Sequence, residues 1–292
     1  MIKKAIKQIL PNRIVGYLSN TKRERERARL KALTPLMEEQ FRRIVEDDLE
    51  VHKGSVVFVH SGIGGIRPGF TPVRLIELLL EIVGDDGTIL FPTYPKLTSY
   101  EFLIANQVTD IRSSKSYTGI LTEKARTHPD AIRSLHPTKS VCAIGKYARE
   151  MTATHQESPR PYDSCSPYYK TAEYEGRVIG LGVATTYLSF THCTDDHLKD
   201  EFPVQPYMEK LFDGRIVDYD GTERIVKTYT HDKAKMLHDV PKYMKKHIPD
   251  SICRDMTIED RSFFTGDAAR LFERMVELAR QGITMYPRSV YK

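Results

Sequence analysis

The stretch from Ser55 to Thr93 limits the fold more than any other. Ser55-Val-Val-Phe-Val-His60 is a β-branched and aromatic run, the pattern of a buried strand. Ser61-Gly-Ile-Gly-Gly-Ile-Arg67 is a glycine-rich loop. Thr71-Pro72 then supplies a cap and a proline for the first helical turn, which predicts a helix over 73–83. Gly84-Asp-Asp-Gly87 turns the chain into a second apolar run, Thr88-Ile-Leu-Phe91, closed by Pro92-Thr93. Strand, helix and strand in such close order build a sheet covered by helices.

The rest of the chain extends that plan. Residues 140–144 and 177–183 read as core strands, and a helix after Thr185-Thr186 carries His192. Upstream, Thr34-Pro35 predicts a helix through Met37, Phe41, Ile44 and Val45, ended by Lys53-Gly54. Residues 216–230 suggest an antiparallel hairpin turned at Asp220-Gly221. An amphipathic helix over 266–282 puts Ala268, Leu271, Phe272, Met275 and Leu278 on one face. The expected architecture is a three-layer α/β fold, with a central, mostly parallel or mixed sheet flanked by helices. A smaller appended region and an N-terminal helical arm complete it. The expected divisions are a basic arm over 1–33, an α/β core over 34–199, a smaller region over 200–260 and a returning helix over 261–292.

Composition narrows the class. Of 292 residues, 40% are hydrophobic and 28% charged, as in globular proteins generally. No apolar window is long enough for a membrane span, and the basic, apolar start lacks the features of a secretory signal, so a cytoplasmic location is expected. Cys142, Cys165, Cys193 and Cys253 lack CxxC spacing, which argues against a zinc ribbon or a disulfide scaffold. Residues 1–43 carry twelve Lys/Arg against four Glu, a surplus of eight; the net charge of +5 therefore leaves the remainder at −3. A nucleic-acid binder would rest on that arm alone. Its mixed signs in Thr21-Lys-Arg-Glu-Arg-Glu-Arg-Ala-Arg-Leu30 favour a solvated helix.

Three segments carry chemistry. The loop after the first strand offers Ser61, Gly62, Gly64, Gly65 and Arg67, groups that suit an anion, although neither GxGxxG nor a P-loop is present. A tight turn with glycines for backbone reasons is the equal alternative. Arg133-Ser-Leu-His-Pro-Thr-Lys-Ser140 joins cations to hydroxyls ahead of a strand, and is either an anion site or a polar loop with a His-Pro turn. In Thr191-His-Cys-Thr-Asp-Asp-His197, His192 and Asp195 share a helix face. An imidazole oriented by a carboxylate suits removal of a proton from an amine. A surface pair is the plainer reading of such spacing. A metal-dependent hydrolase using His192, Asp195 and His197 is a third, weakened because the two histidines lie five apart. Cys193 as a nucleophile would need its own histidine.

Taken in order, these pieces resemble the aminoglycoside 3-N-acetyltransferase (antibiotic N-acetyltransferase) family. The matching pieces are Val59-His-Ser61 with its glycine loop, Gly87-Thr-Ile-Leu-Phe-Pro-Thr93, Arg133-Ser-Leu-His-Pro137 with Ser140, Ala143-Ile-Gly145, Ser166-Pro167-Tyr168, and Gly180-Leu-Gly-Val183 leading to His192. The resemblance spans roughly 35–285 and implies an acyl-CoA co-substrate, acetyl-CoA or a slightly larger donor such as 3-hydroxybutanoyl-CoA, with no metal. It implies that the histidine of a His-x-x-Glu segment deprotonates the acceptor amine. That segment reads His192-Cys-Thr-Asp195 here, so aspartate shortens the reach by a methylene. Residues 34–199 then become the CoA-binding core, and 200–260 the acceptor side. The expected CoA-facing set is Ser61, Gly62, Ile63, Gly64, Gly65, Arg67, Thr93, Thr118, Arg133, Ser134, His136 and Ser140. The expected acceptor-facing set is Tyr94, Tyr168, Lys227, Tyr229 and His231.

The acceptor is read from charge. The resistance enzymes that the chain resembles carry a strongly acidic stretch after the histidine. Here Arg224-Ile-Val-Lys-Thr-Tyr-Thr-His-Asp-Lys-Ala-Lys235 is basic and aromatic. That favours the amine of a nucleotide-linked deoxyamino sugar, as used in surface polysaccharides, over a polycationic antibiotic. An aminoglycoside 3-N-acetyltransferase conferring resistance is the alternative. Partners are expected to be small molecules, with no nucleic acid and with a homodimer left open.

Overall fold

The computed structural model describes Glu24 and residues 28–292. Most of the basic arm lies outside the described residues. Among the described residues ten strands are assigned: β1 Val56–Ser61, β2 Thr88–Pro92, β3 Val108–Asp110, β4 Ile132–Arg133, β5 Val141–Gly145, β6 Arg177–Leu181, β7 Phe212–Val217, β8 Glu223–Thr228, β9 Cys253–Ile258 and β10 Arg261–Asp267. Seven form one sheet in the order β4-β5-β2-β1-β6-β10-β9, and three form a second in the order β3-β7-β8. β1 pairs in parallel with both β2 and β6, while β5 and β10 add antiparallel flanks. The sheet is mixed, as expected.

Alternation along β1 divides the interior. Phe58 packs into one apolar cluster, with Tyr168, Cys193 and Leu271 from the helices Pro167–Glu173, His192–Leu198 and Ala268–Arg280. Val57 and Val59 point the other way, into a cluster with Phe41, Leu75, Leu79 and Leu121 from the helices Glu38–Arg43, Pro72–Val83 and Ile120–Arg126. The result is three layers: helices, sheet, helices. The helix Pro72–Val83 starts where the cap predicts, with the Thr71 side chain accepting from the Arg74 amide.

Three boundaries differ from the sequence reading. The helix expected at Thr34-Pro35 begins only at Glu38. Buried Leu36 instead donates to the Arg67 carbonyl at 2.9 Å and accepts from the Gly69 amide at 2.8 Å, which holds this stretch extended. The last helix starts at Ala268 rather than 266, because Gly266 is still a β10 residue and Asp267 caps the helix through the Arg270 amide. The hairpin expected from 216 starts at Phe212, the first residue of β7. No helix among the described residues is long and apolar enough to cross a membrane.

Candidate active site

The site forms beyond the carboxyl ends of the parallel strands β1 and β6, where open α/β sheets usually place one. β1 delivers His60 and Ser61 to that edge. β6 ends at Leu181, and the chain turns at Gly182, whose φ of 73° suits glycine. The two loops cross there: a Cβ on Gly65 would lie 2.5 Å from the Gly182 carbonyl oxygen. Gly64 has open space where a Cβ would be. After the turn, the Thr185 amide and hydroxyl both donate to the Asp255 carboxylate on β9, at 2.8 and 2.7 Å. That anchor fixes the two short 3-10 turns leading into the helix His192–Leu198.

His192 opens that helix and is only 7% exposed. Its Nδ1 lies 2.9 Å from Asp195 Oδ2. Its Nε2 has no hydrogen-bond partner among the described residues. Around the ring stand Tyr162 at 5.1 Å, His231 at 4.5 Å and His238 at 5.7 Å between centroids. The Tyr286 hydroxyl donates to Asp195 Oδ2 at 2.8 Å. One turn position away, Asp196 accepts from the Tyr162 amide at 2.8 Å and faces Arg160 at 3.5 Å.

Burial sets the electrostatics. It pushes the His192 imidazole down to about 3, with the Lys139 charge adding to the effect. It pulls the Asp195 carboxyl up to about 8, against the hydrogen bond from Tyr286. A base at Nε2 requires the ring proton on Nδ1 and an ionised Asp195 to receive it. Donation from Tyr286 favours that ionised form. Lys139 rests its ammonium 4.4 Å from the Tyr94 ring centre, and burial lowers it to about 8. Burial drives the Cys193 thiol well above its ordinary value, so it is no nucleophile.

The residues expected to face CoA divide sharply. Ser61 to Gly65 line the loop crossing, with the Ser61 hydroxyl buried and unpartnered. Several others have their polar groups bonded within the scaffold. Arg67 gives its guanidinium to the carbonyls of Lys31 and Leu33. Buried Arg133 donates to Ser140 Oγ at 2.9 Å, to the Ser114 carbonyl at 2.7 Å and to the Thr93 carbonyl at 3.0 Å. Thr93 and Ser140 are buried and bonded to each other, and Thr118 donates to the Pro92 carbonyl. Ser134 pairs with His155 at 2.7 Å. His136 accepts from the Thr138 and Lys139 amides and reaches Thr228 at 3.2 Å. Desolvated donors are satisfied inward, so this loop is a tie between β4, β5 and the second sheet.

The residues expected to face the acceptor divide too. His231 enters the site. Tyr94 closes one wall, its hydroxyl 2.5 Å from that of Tyr168 and 3.3 Å from Ser189 Oγ. Tyr168 is fully buried against Phe58 and Tyr162, too deep to meet a substrate. Tyr229 lies 5.8 Å from the Tyr207 ring, under Arg160. Lys227 points outward, 64% exposed and paired with Asp213 at 2.9 Å. His197 is also outward, stacked on Tyr169 and edged by Phe272. That removes the ligand set of His192, Asp195 and His197. His231 does lie within 4.8 Å of the ligand atoms of His192 and Asp195, but those two already bond each other. No local signal marked Tyr286, Tyr162, Tyr207, His238 or Arg160 as members of the site, although the pattern Tyr229-Thr-His231 pointed at its neighbourhood; His60 lay within the Val59-His-Ser61 piece.

Fold and site together define a class: a helix-flanked mixed-sheet protein with a buried imidazole–carboxylate pair on a short helix at the sheet's edge. The chain belongs to the aminoglycoside 3-N-acetyltransferase family, whose model matches residues 58–280. It is 28% identical to aminoglycoside N(3)-acetyltransferase IV from Salmonella sp over 179 residues, which cover 60% of this chain and 65% of that protein, just under two thirds of its length. In fold it matches aminoglycoside acetyltransferase AAC(3)-Xa, with a TM-score of 0.72, 19% identity and coverage of 92% of this chain and 99% of that one. It also matches AAC-IIIb in a binary complex with CoASH, with a TM-score of 0.68, 21% identity and coverage of 86% and 98%.

These matches overturn the nucleotide-linked acceptor. The family and the curated relatives are aminoglycoside acetyltransferases, and none is a sugar-nucleotide enzyme or a metal hydrolase. The physical argument for that acceptor also loses Lys227, which faces water rather than the imidazole.

Proposed function

We propose that this protein is an aminoglycoside 3-N-acetyltransferase that uses acetyl-CoA, with His192 as general base. The single observation that carries the base assignment is the 2.9 Å bond from His192 Nδ1 to Asp195 Oδ2, made in a buried setting that leaves Nε2 unbonded. The neutral amine nitrogen attacks the thioester carbonyl carbon, and Nε2 takes the proton that the nitrogen sheds. The C–S bond breaks, and CoA leaves as a thiolate that is then protonated. Asp195 holds the ring and balances the imidazolium. An aminoglycoside acceptor is supported by the family match over residues 58–280 and by the curated relatives, which are aminoglycoside N(3)-acetyltransferases.

The test is thiol release from acetyl-CoA with a panel of aminoglycosides. His192→Ala should lower kcat by about 10²- to 10⁴-fold. Its affinity for CoA, measured by calorimetry, should be unchanged. Near-normal turnover in that variant removes the base assignment, and a wild-type enzyme inert toward every aminoglycoside removes the acceptor.

A further inference from the structure

We propose that Tyr286 is a positioning residue for the reaction, the third member of a His192–Asp195–Tyr286 relay supplied by the C-terminal segment. This rests on the reading of His192 as base. The tyrosine lies beyond residue 280, where the family match ends, so family membership does not assign it.

Tyr286 is buried against the Asp195 carboxylate. Its hydroxyl donates to Asp195 Oδ2 at 2.8 Å and lies 3.4 Å from His192 Nδ1. The ring is 3% exposed, edged by Phe202 at 6.0 Å and beside His238 at 5.8 Å. Burial holds the phenol well above its ordinary value, so it keeps its proton and acts only as a donor here. With its carboxylate ionised, Asp195 Oδ2 receives two donors, the phenol and the imidazole Nδ1–H, while Oδ1 has no partner. The doubly bonded oxygen cannot rotate away from the ring without losing both. That fixes the proton on Nδ1 and leaves the lone pair on Nε2 for the amine.

The segment is built to hold this residue still. The Met285 carbonyl accepts from the Asp239 amide at 3.2 Å, and the Tyr286 amide donates to Thr284 Oγ1 at 3.2 Å. Thr284 Oγ1 also pairs with the Tyr291 hydroxyl at 2.9 Å. Tyr291 bridges to Val204, and the Lys292 amide donates to the Pro203 carbonyl at 2.9 Å. The aspartate in place of glutamate gives the arrangement its purpose: a shorter, stiffer carboxylate has fewer ways to find the ring and gains from a fixed brace.

The test is Tyr286→Phe, which keeps the ring and removes only the donor. In the thiol-release assay, kcat should fall about tenfold, the factor for one lost hydrogen bond to a charged group. KM for both substrates should stay within about twofold, the sign that binding is untouched. The acid limb of kcat/KM should move to higher pH, because Asp195 loses a bond that favours its ionised form. A residue that merely fills space would leave that limb in place. Unaltered kcat, or a lower kcat with an unmoved limb, overturns the proposal. His192→Ala run alongside separates the two readings: lost turnover there with a normal Tyr286→Phe enzyme sinks the relay and spares the base. Nitrogen NMR of His192 in Tyr286→Phe reads the ring's tautomer directly. A proton still fixed on Nδ1 overturns the proposal whatever the kinetics of His192→Ala.

Discussion

Mild acid should destabilise this protein, and the size of the effect follows from its buried imidazoles. Burial lowers His60 to about 3, His155 to about 4 and His192 to about 3, and holds His136 and His231 well below the ordinary 6.5. All five stay neutral in the folded state while the unfolded chain takes up protons below pH 6.5. Stability therefore falls as the pH drops. Between pH 6.5 and 5 each imidazole contributes a loss of about 1.6 kcal/mol, or about 8 kcal/mol for the set. Two carboxyls oppose this. Asp195 and Asp196 are raised to about 8, so the folded state holds their protons where the unfolded chain does not. Together they return about 4 kcal/mol over the same range. The net loss from these seven groups is about 4 kcal/mol, with half-buried His238, lowered to about 4, adding in the same direction, against a total stability of about 5–15 kcal/mol for folded proteins. With an unfolding entropy of about 0.6 kcal/mol/K for 292 residues, Tm should drop by about 6–7 °C. The chain has no tryptophan, so far-ultraviolet circular dichroism is the suitable probe. A Tm that is constant or rising between pH 6.5 and 5 would mean the imidazoles titrate normally and the buried neutral site is wrong.

Two further perturbations separate scaffold from surface. Gly65→Ala places a Cβ 2.5 Å from the Gly182 carbonyl and should cost about 1–3 kcal/mol in urea unfolding, whereas Gly64→Ala meets nothing within 4 Å and should stay within about 0.5 kcal/mol of wild type. Equal costs for the two would refute the loop crossing. Lys227→Ala should leave kcat/KM for an aminoglycoside unchanged, since the side chain is solvated and paired to Asp213; a clear change in that ratio would return the lysine to the acceptor side.

What was legible in the sequence is what is local in the chain. The cap at Thr71-Pro72 and the apolar runs of β1 and β2 need only near neighbours to be recognised, and they sit within a residue or so of their expected bounds. His192 and Asp195 were legible for the same reason, as two residues one helical turn apart. The β9–β10 hairpin was not. It turns through Glu259 and Asp260 at φ of 47° and 62°, without the glycine, asparagine or proline that usually announces such a turn. β9 is also an edge strand in which the consecutive polar pair Arg254-Asp255 breaks a clean apolar alternation. Tyr286 reaches Asp195 from 91 positions away, and no periodicity carries across such a gap.

The acceptor misreading is different in kind, because the signal that corrects it was present. A strand's side chains alternate, so a charge on one belongs to a face before it belongs to a region. In β8, Val226 and Thr228 are buried and Lys227 lies between them, which fixes its direction outward. Summing the charge of 224–235 merged the two faces and credited the site with a lysine that belongs to the solvent. The Arg133 loop shows the converse. There the charge and hydroxyls do turn inward, but burial obliges each donor to find a protein acceptor, and Ser140, Ser114 and Thr93 already supply them. A polar residue becomes available to a ligand only where its own fold leaves it unsatisfied. In this site that condition is met by the Ser61 hydroxyl, the Asp195 Oδ1, the His231 Nε2, the His60 and His238 Nδ1 atoms and the Tyr207 hydroxyl, the groups whose partners are most worth finding in a complex.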